Sequence, residues 1–284
     1  MMRIPWLCTV AILFCLSDPH SFSQTSDPQT ELQLGIAAYE KAAYKEAVDH
    51  LKRAVLLDPS LTIAHLYLAN TYSDLYCTTC EFDSDAGDTN EQRRVLVLEE
   101  YNKVLELDSS NTKALNSMAN LHYRSAKFDE AERYYRKTIE VDASNSEALY
   151  TLAVIEWHRS YVLRMEKRAQ LKFSPRQPLI DSPACHEIRK ENLARVEEGI
   201  SLLTRIPQVF NIADGMAYMG LLYRERADIQ CDDRPAYEDD IKTAQSWAHR
   251  GCEARQNPDS QNIPWSWPPS PPPPPLKSGN SCFL

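Results

Sequence analysis

The sequence predicts an all-α chain, an α-solenoid of about five helix-turn-helix repeats with two insertions and a disordered proline-rich tail. Three observations predict it. Apolar and small residues recur along the chain at a period of about 34 residues. Glycine or alanine stands at the eighth and twentieth positions of the clearest copies, where two helices touch only if no side chain separates them. Prolines gather outside the periodic segments, between Lys172 and Pro183 and again beyond Asn257. No single copy can bury its apolar face alone, so the copies must stack.

Taken in chain order, the first element is a leader. Arg3 supplies a positive start, Ile4 to Leu16 an apolar stretch, and Ser21-Phe22-Ser23 a small-x-small cleavage context. We expect a signal peptide over residues 1–23 and an exported chain, periplasmic or secreted. The alternative is an N-terminal membrane anchor, but the apolar stretch falls short of the roughly 20 residues a spanning helix needs. Once the leader is removed, no stable membrane span is expected.

The first repeat, 28–61, shows Leu34-Gly35, Tyr44, Ala47, Ala54 and Pro59. The second, 62–111, opens with Leu68-Ala69 and Tyr72, is interrupted by an insertion at 77–94, and resumes with Val97, Tyr101 and Leu107-Asp108-Ser109. The third, 112–145, runs without interruption through Leu115, Met118-Ala119, Phe128, Ala131, Tyr135 and Val141-Asp142-Ala143. The fourth, 146–212, begins with Leu149 and Leu152-Ala153 and loses the pattern after Trp157. Its insertion, 159–186, contains Pro175, Pro178 and Pro183, which exclude helix over 172–183. In the fifth, 213–255, Met216, Met219-Gly220 and Tyr223 mark a first helix, and a second runs from about Pro235 to Arg255. At these offsets the residues resemble the tetratricopeptide-repeat (TPR) family, and the resemblance covers about 28–255. With its leader and prolines the chain is also similar to exported bacterial repeat proteins. Residues 256–284 include Pro264-Trp265-Ser266-Trp267-Pro268 and a run of prolines, a polyproline II segment lacking any core.

The resemblance implies that the first helix of each repeat lines a concave face. It places Leu32, Ile36, Tyr39 and Glu40 there from the first repeat, and Ile63, Leu66, Asn70, Ser73 and Asp74 from the second. The third contributes Lys113, Asn116, Asn120, Tyr123 and Arg124, and the fourth Glu147, Tyr150, Val154, Trp157 and His158. Aromatic anchors mixed with amides and charges are what a groove needs to grip a peptide backbone and pocket an apolar side chain. Asn70 and Asn120 resemble part of the two-asparagine clamp with which chaperone-binding relatives hold a C-terminal carboxylate. Leu66 stands where the clamp's lysine would be, leaving Lys113 and Arg124 as the available cations.

A net charge of −9 leaves no global positive field to gather phosphates, so no nucleic acid partner is expected. No phosphate loop, HExxH, Gly-x-Ser-x-Gly or haem site occurs, so no enzymatic activity and no cofactor are expected. The run Tyr223-Arg224-Glu225-Arg226-Ala227-Asp228 reads as ion pairs on a helix surface. Carboxylates at Glu81, Asp83, Asp85, Asp88 and Glu91 miss the spacing of a calcium loop and read as a solvated turn. Beyond the leader, Cys77, Cys80, Cys185, Cys231 and Cys252 are candidate disulfide cysteines, while Cys282 lies in the tail. The expected function is a non-catalytic scaffold that binds a partner protein or peptide on its concave face. One alternative is a metal- or redox-linked exported protein using Cys77 and Cys80 with Cys185 or Cys231. The other is a spacer that presents the proline-rich tail as a ligand.

Overall fold

The computed structural model describes residues 27–75, 90–174, 177–180, 182–206 and 213–256. The leader, Cys77 and Cys80, the acidic residues from Glu81 to Asp88, and the tail after Gln256 with Cys282 lie outside them. Among the described residues there are ten helices and no strand. These are α1 (Pro28–Glu40), α2 (Tyr44–Leu57), α3 (Thr62–Leu75), α4 (Asn90–Leu107) and α5 (Thr112–Arg124). They are followed by α6 (Phe128–Val141), α7 (Ser146–Gln170), α8 (Pro183–Thr204), α9 (Ala213–Ala227) and α10 (Arg234–Gln256). None is long and apolar enough to cross a membrane.

Local chemistry sets the boundaries. Asp27, Asn111 and Asn145 cap α1, α5 and α7, their side chains accepting from the backbone N–H three residues on. Ser182 caps α8 and Pro183 occupies its first turn, where no backbone donor is needed. The connections after α2, α4 and α6 share one device. The carboxylates of Asp58, Asp108 and Asp142 each accept from the backbone and hydroxyl of the serine two residues on, Ser60, Ser110 and Ser144. Those hydrogen bonds hold each carboxyl below the usual range.

Within pairs, α1 and α5 end alike. Ala43 N–H donates to Ala38 O at 2.9 Å and Lys127 N–H to His122 O at 3.0 Å, closing the helices with Schellman turns. Both turns put an alanine, Ala42 and Ala126, in the left-handed region at φ 56°. An L side chain pays about 1–2 kcal/mol there, and glycine does not. Ala126→Gly should therefore stabilise the chain by about 0.5–1 kcal/mol after the greater entropy of the unfolded glycine is subtracted. Thermal unfolding of the variant beside the parent measures this, and an unchanged or lower midpoint would contradict it.

Helices pack as consecutive hairpins, α1 with α2 through α9 with α10, and each hairpin stacks on the next. Small residues make this possible. A Cβ on Gly35 would lie 2.6 Å from Leu51 Cγ, and one on Gly220 would lie 3.0 Å from the Ala244 carbonyl oxygen. Ala47, Ala69, Ala119, Ala131 and Ala153 are fully buried at their own contacts. The core forms two clusters, one over α1 to α5 and the other from α5 to α10, and Tyr134 packs against both.

The second half departs from the regular pattern. Helix α7 continues past Trp157 to Gln170, and α8 extends for 22 residues. The segment between them is anchored by charge. Arg164 forks onto Glu225 at 2.6 and 2.7 Å, and Arg168 reaches Asp228 at 2.9 Å. Arg168 also donates to the carbonyls of Ser174 and Gln177. Glu225 and Asp228 are thus not surface pairs. They are buried at 2% and 4% exposure, because α9 lies directly on α7 and turns these residues inward. Beside them a disulfide joins Cys185 to Cys231 across 46 residues of sequence. Cys252 is disulfide-bonded as well. With their sulfurs joined, Cys185 and Cys231 offer no thiolate to a metal or a redox partner.

Candidate functional site

The first helices of the hairpins meet directly in two places, α1 with α3 and α7 with α9, and Asn116 of α5 hydrogen-bonds Glu147 of α7. The face they build changes character along its length.

From α1 to α5 it is open. Ile36, Tyr39 and Asn70 are half-buried, whereas Leu66, expected in the groove, is buried in the core over α1 to α5 because α3 packs against its neighbours there. The Tyr39 ring meets Tyr67 edge-on at 5.6 Å. Burial, and after it Asp74, pushes the Tyr39 hydroxyl well above its usual range, so it remains a neutral donor to that carboxylate. Asn70 Oδ1 accepts from the Tyr101 hydroxyl at 2.7 Å, and burial pushes Tyr101 up to about 12. Asn70 is therefore already oriented by its own repeat.

On α5, Asn116, Asn120 and Lys113 follow one another on one face, and Arg124 ends the helix; Lys113 and Arg124 are exposed. Asn116 donates to Asn145 Oδ1 at 3.1 Å and to Glu147 Oε2 at 3.2 Å. Asn120 lies beside the same carboxylate and, with Asn116, favours its charge, but burial is stronger and raises the Glu147 carboxyl. The two asparagines of the third repeat thus face an internal anion, which does not suit a carboxylate ligand.

From Tyr123 onward the face is closed, and the expectation of an open groove through α7 needs correction. Tyr123 is 6% exposed and packs edge-on against Phe128 at 5.6 Å. Tyr150 and Trp157 are each 2% exposed. The Tyr218 ring of α9 meets them edge-on at 5.7 and 5.2 Å, and Tyr161 stacks on Trp157 at 5.4 Å. These residues are core, because direct packing of α9 on α7 fills the space a groove would occupy. His158 is half-buried against Phe128 at 5.0 Å, and burial lowers its pKa. Tyr218 was not anticipated from sequence. Extending the register from α7 to α9 would have put it next to the inward fifth offset.

The described residues contain no cluster of three or more histidine, cysteine or carboxylate side chains able to hold a metal. The face carries amides, aromatic rings and the carboxylates of Asp74 and Glu147.

No protein-family model matches the chain, and no curated protein matches it. Solved structures do. MamA protein matches with a TM-score of 0.50 at 12% identity, covering 84% of this chain and 97% of that one. YrrB, described as a TPR protein with an unusual peptide-binding site, matches at 0.48 and 12%, covering 82% and 89%. The first TPR of Spaghetti (RPAP3), bound to the HSP90 peptide SRMEEVD, matches at 0.35 and 22%, covering 43% and 86%. With its hairpins stacked in sequence order, the chain has a TPR-like, all-helical solenoid fold.

Proposed function

We propose that the chain is a non-catalytic scaffold that holds an extended segment or a helix of a partner protein on the inner face of α1, α3 and α5. The observation that supports this reading is that the inward offsets of three successive repeats carry half-buried groups, Ile36 and Tyr39, Asn70, and Asn116 and Asn120. Half-burial on rigid helices limits the entropy lost on binding, and the mix of rings and amides serves both side-chain and backbone contacts. Replacing Ile36 and Asn120 together by alanine should weaken the affinity for a partner captured from the native host by about tenfold or more, with helical content unchanged. Equal affinity of the double variant would refute the assignment of the face.

We further read residues 1–23 as a signal peptide that takes the chain to the periplasm or outside the cell. The Cys185–Cys231 disulfide supports this, because such bonds persist in oxidising compartments. N-terminal sequencing of the protein from its host should begin at Gln24. A sequence starting at Met1 or Met2 would overturn the reading.

A further inference from the structure

Cys252 is disulfide-bonded, and its partner lies outside the described residues. Cys185 and Cys231 are joined to each other, so the partner is one of Cys8, Cys15, Cys77, Cys80 and Cys282. The packing of the last hairpin decides among them.

Cys252 stands near the end of α10, where that helix has returned to the beginning of α9. A Cβ on Gly251 would lie 3.0 Å from the Ala213 carbonyl oxygen, and Arg255 donates to Asp214 at 2.7 Å. Arg234 opens α10 at the hairpin turn, and the helix rises about 27 Å from there to Cys252. Cys77 and Cys80, by contrast, follow Leu75, where α3 reaches the turn of its own hairpin. The first helices all run the same way. Short turns after α4 and α6 reverse the chain between hairpins, and α7 and α9 meet early residue to early residue, Tyr150 with Tyr218, and late to late, Arg168 with Asp228.

The end of α3 and Cys252 therefore lie at opposite ends of their hairpins, with two whole hairpins, α5 with α6 and α7 with α8, standing between them. At about 8–10 Å per packed helix, added to the rise along α10, their separation exceeds about 30 Å. A fully extended chain spans at most about 7 Å from Leu75 to Cys77 and about 18 Å to Cys80. A disulfide bridges Cα atoms only about 4–7 Å apart, so neither cysteine reaches Cys252. Cys282 does. Gln256 ends α10 one turn beyond Cys252, and the segment from there to Cys282 is long enough to turn back on the helix. Cys8 and Cys15 leave with the signal peptide proposed above, the one point at which this inference rests on that reading.

We propose that Cys252 and Cys282 form a disulfide that closes the proline-rich tail into a covalent loop on the last hairpin. The two thiols together give up two protons and two electrons as the sulfur–sulfur bond forms. The electrons pass to the disulfide of a thiol oxidoreductase in the oxidising compartment, which leaves as the dithiol. Pro264-Trp265-Ser266-Trp267-Pro268 and the proline run are then fixed at both ends, which lowers the ordering cost for a partner that reads them.

The test takes the full chain from its host without reductant, alkylates it with N-ethylmaleimide, isolates the monomer on a non-reducing gel and maps its tryptic peptides by mass spectrometry. Trypsin cuts after Arg250, Arg255 and Lys277, so one species should join residues 251–255 to 278–284 and separate into its two peptides on reduction. In Cys282→Ala, a substitution outside the ten helices, Cys252 should become fully alkylated. Cys252 joined to Cys77 or Cys80, alkylated in the parent, or still protected in Cys282→Ala overturns the pairing alone. Cys252 joined to Cys8 or Cys15 overturns the pairing and the signal-peptide reading together.

Discussion

Glu225→Ala lowers stability by about 3–5 kcal/mol, the largest loss expected of any single substitution here. The carboxylate is 2% exposed and takes both Nε and Nη2 of Arg164, at 2.6 and 2.7 Å. Removing it leaves Arg164 buried, with only Asp228 at 3.3 Å, a carboxylate already engaged by Arg168. The penalty is that of an uncompensated buried charge, so it exceeds what the pair contributes over an apolar replacement. Arg164→Met combined with Glu225→Leu should accordingly recover most of the loss. Urea unfolding of the three proteins measures both effects. A loss under about 1 kcal/mol for Glu225→Ala would show that the pair is solvated.

Replacing Cys185 and Cys231 together by alanine is the second large effect. Closing a loop of 46 residues restricts the unfolded chain by about 4 kcal/mol on the chain-entropy account. Alanine is the right replacement at Cys185, which is fully buried, because a serine hydroxyl there would add an unsatisfied polar group. The crosslink ties the start of α8 to the α9–α10 turn, where Asp232 N–H also donates to Ile180 O at 3.3 Å and Arg189 to Ile229 O at 2.6 Å. These contacts should persist in the variant, so its helical content is retained while its unfolding midpoint falls. An unshifted midpoint would mean that the two cysteines are not joined in the protein.

The repeat pattern was legible in the sequence because close helix packing leaves few alternatives. At Gly35 and Gly220 an added Cβ would press on a neighbouring helix, and at Ala47, Ala119 and Ala131 anything larger would meet a filled core. Such positions impose their residue type, and their spacing reveals the fold. The course of α7 beyond Trp157 was not legible. Its exit from the period marks the end of the repeat template, whereas the helix itself continues to Gln170, and Lys172 just past its C-cap adopts φ 57° before the prolines. The buried ion pairs were hidden for a related reason. A charged run such as Tyr223 to Asp228 gives the same periodicity on a surface helix as on one roofed by another helix, and only the packing of α9 on α7 distinguishes them.

The candidate face shows the same division. Offset alone assigns Ile36, Tyr39, Asn70 and Asn120 to the inner side, and all four are half-buried. Whether that side is open depends on the neighbouring helix. Tyr218 closes it over Tyr150 and Trp157, whereas Ile36 and Asn70 remain half-buried among the described residues.

Photo-cross-linking tests the central claim most directly, with benzoylphenylalanine placed at Ile36 or Asn120 on the inner face and at Lys52 or Lys137 on the exposed outer helices. If a partner lies along α1, α3 and α5, cross-links to the captured protein form from Ile36 and Asn120 and not from the two lysine positions. Cross-links confined to Lys52 and Lys137 would place the partner on the outer helices and contradict the account.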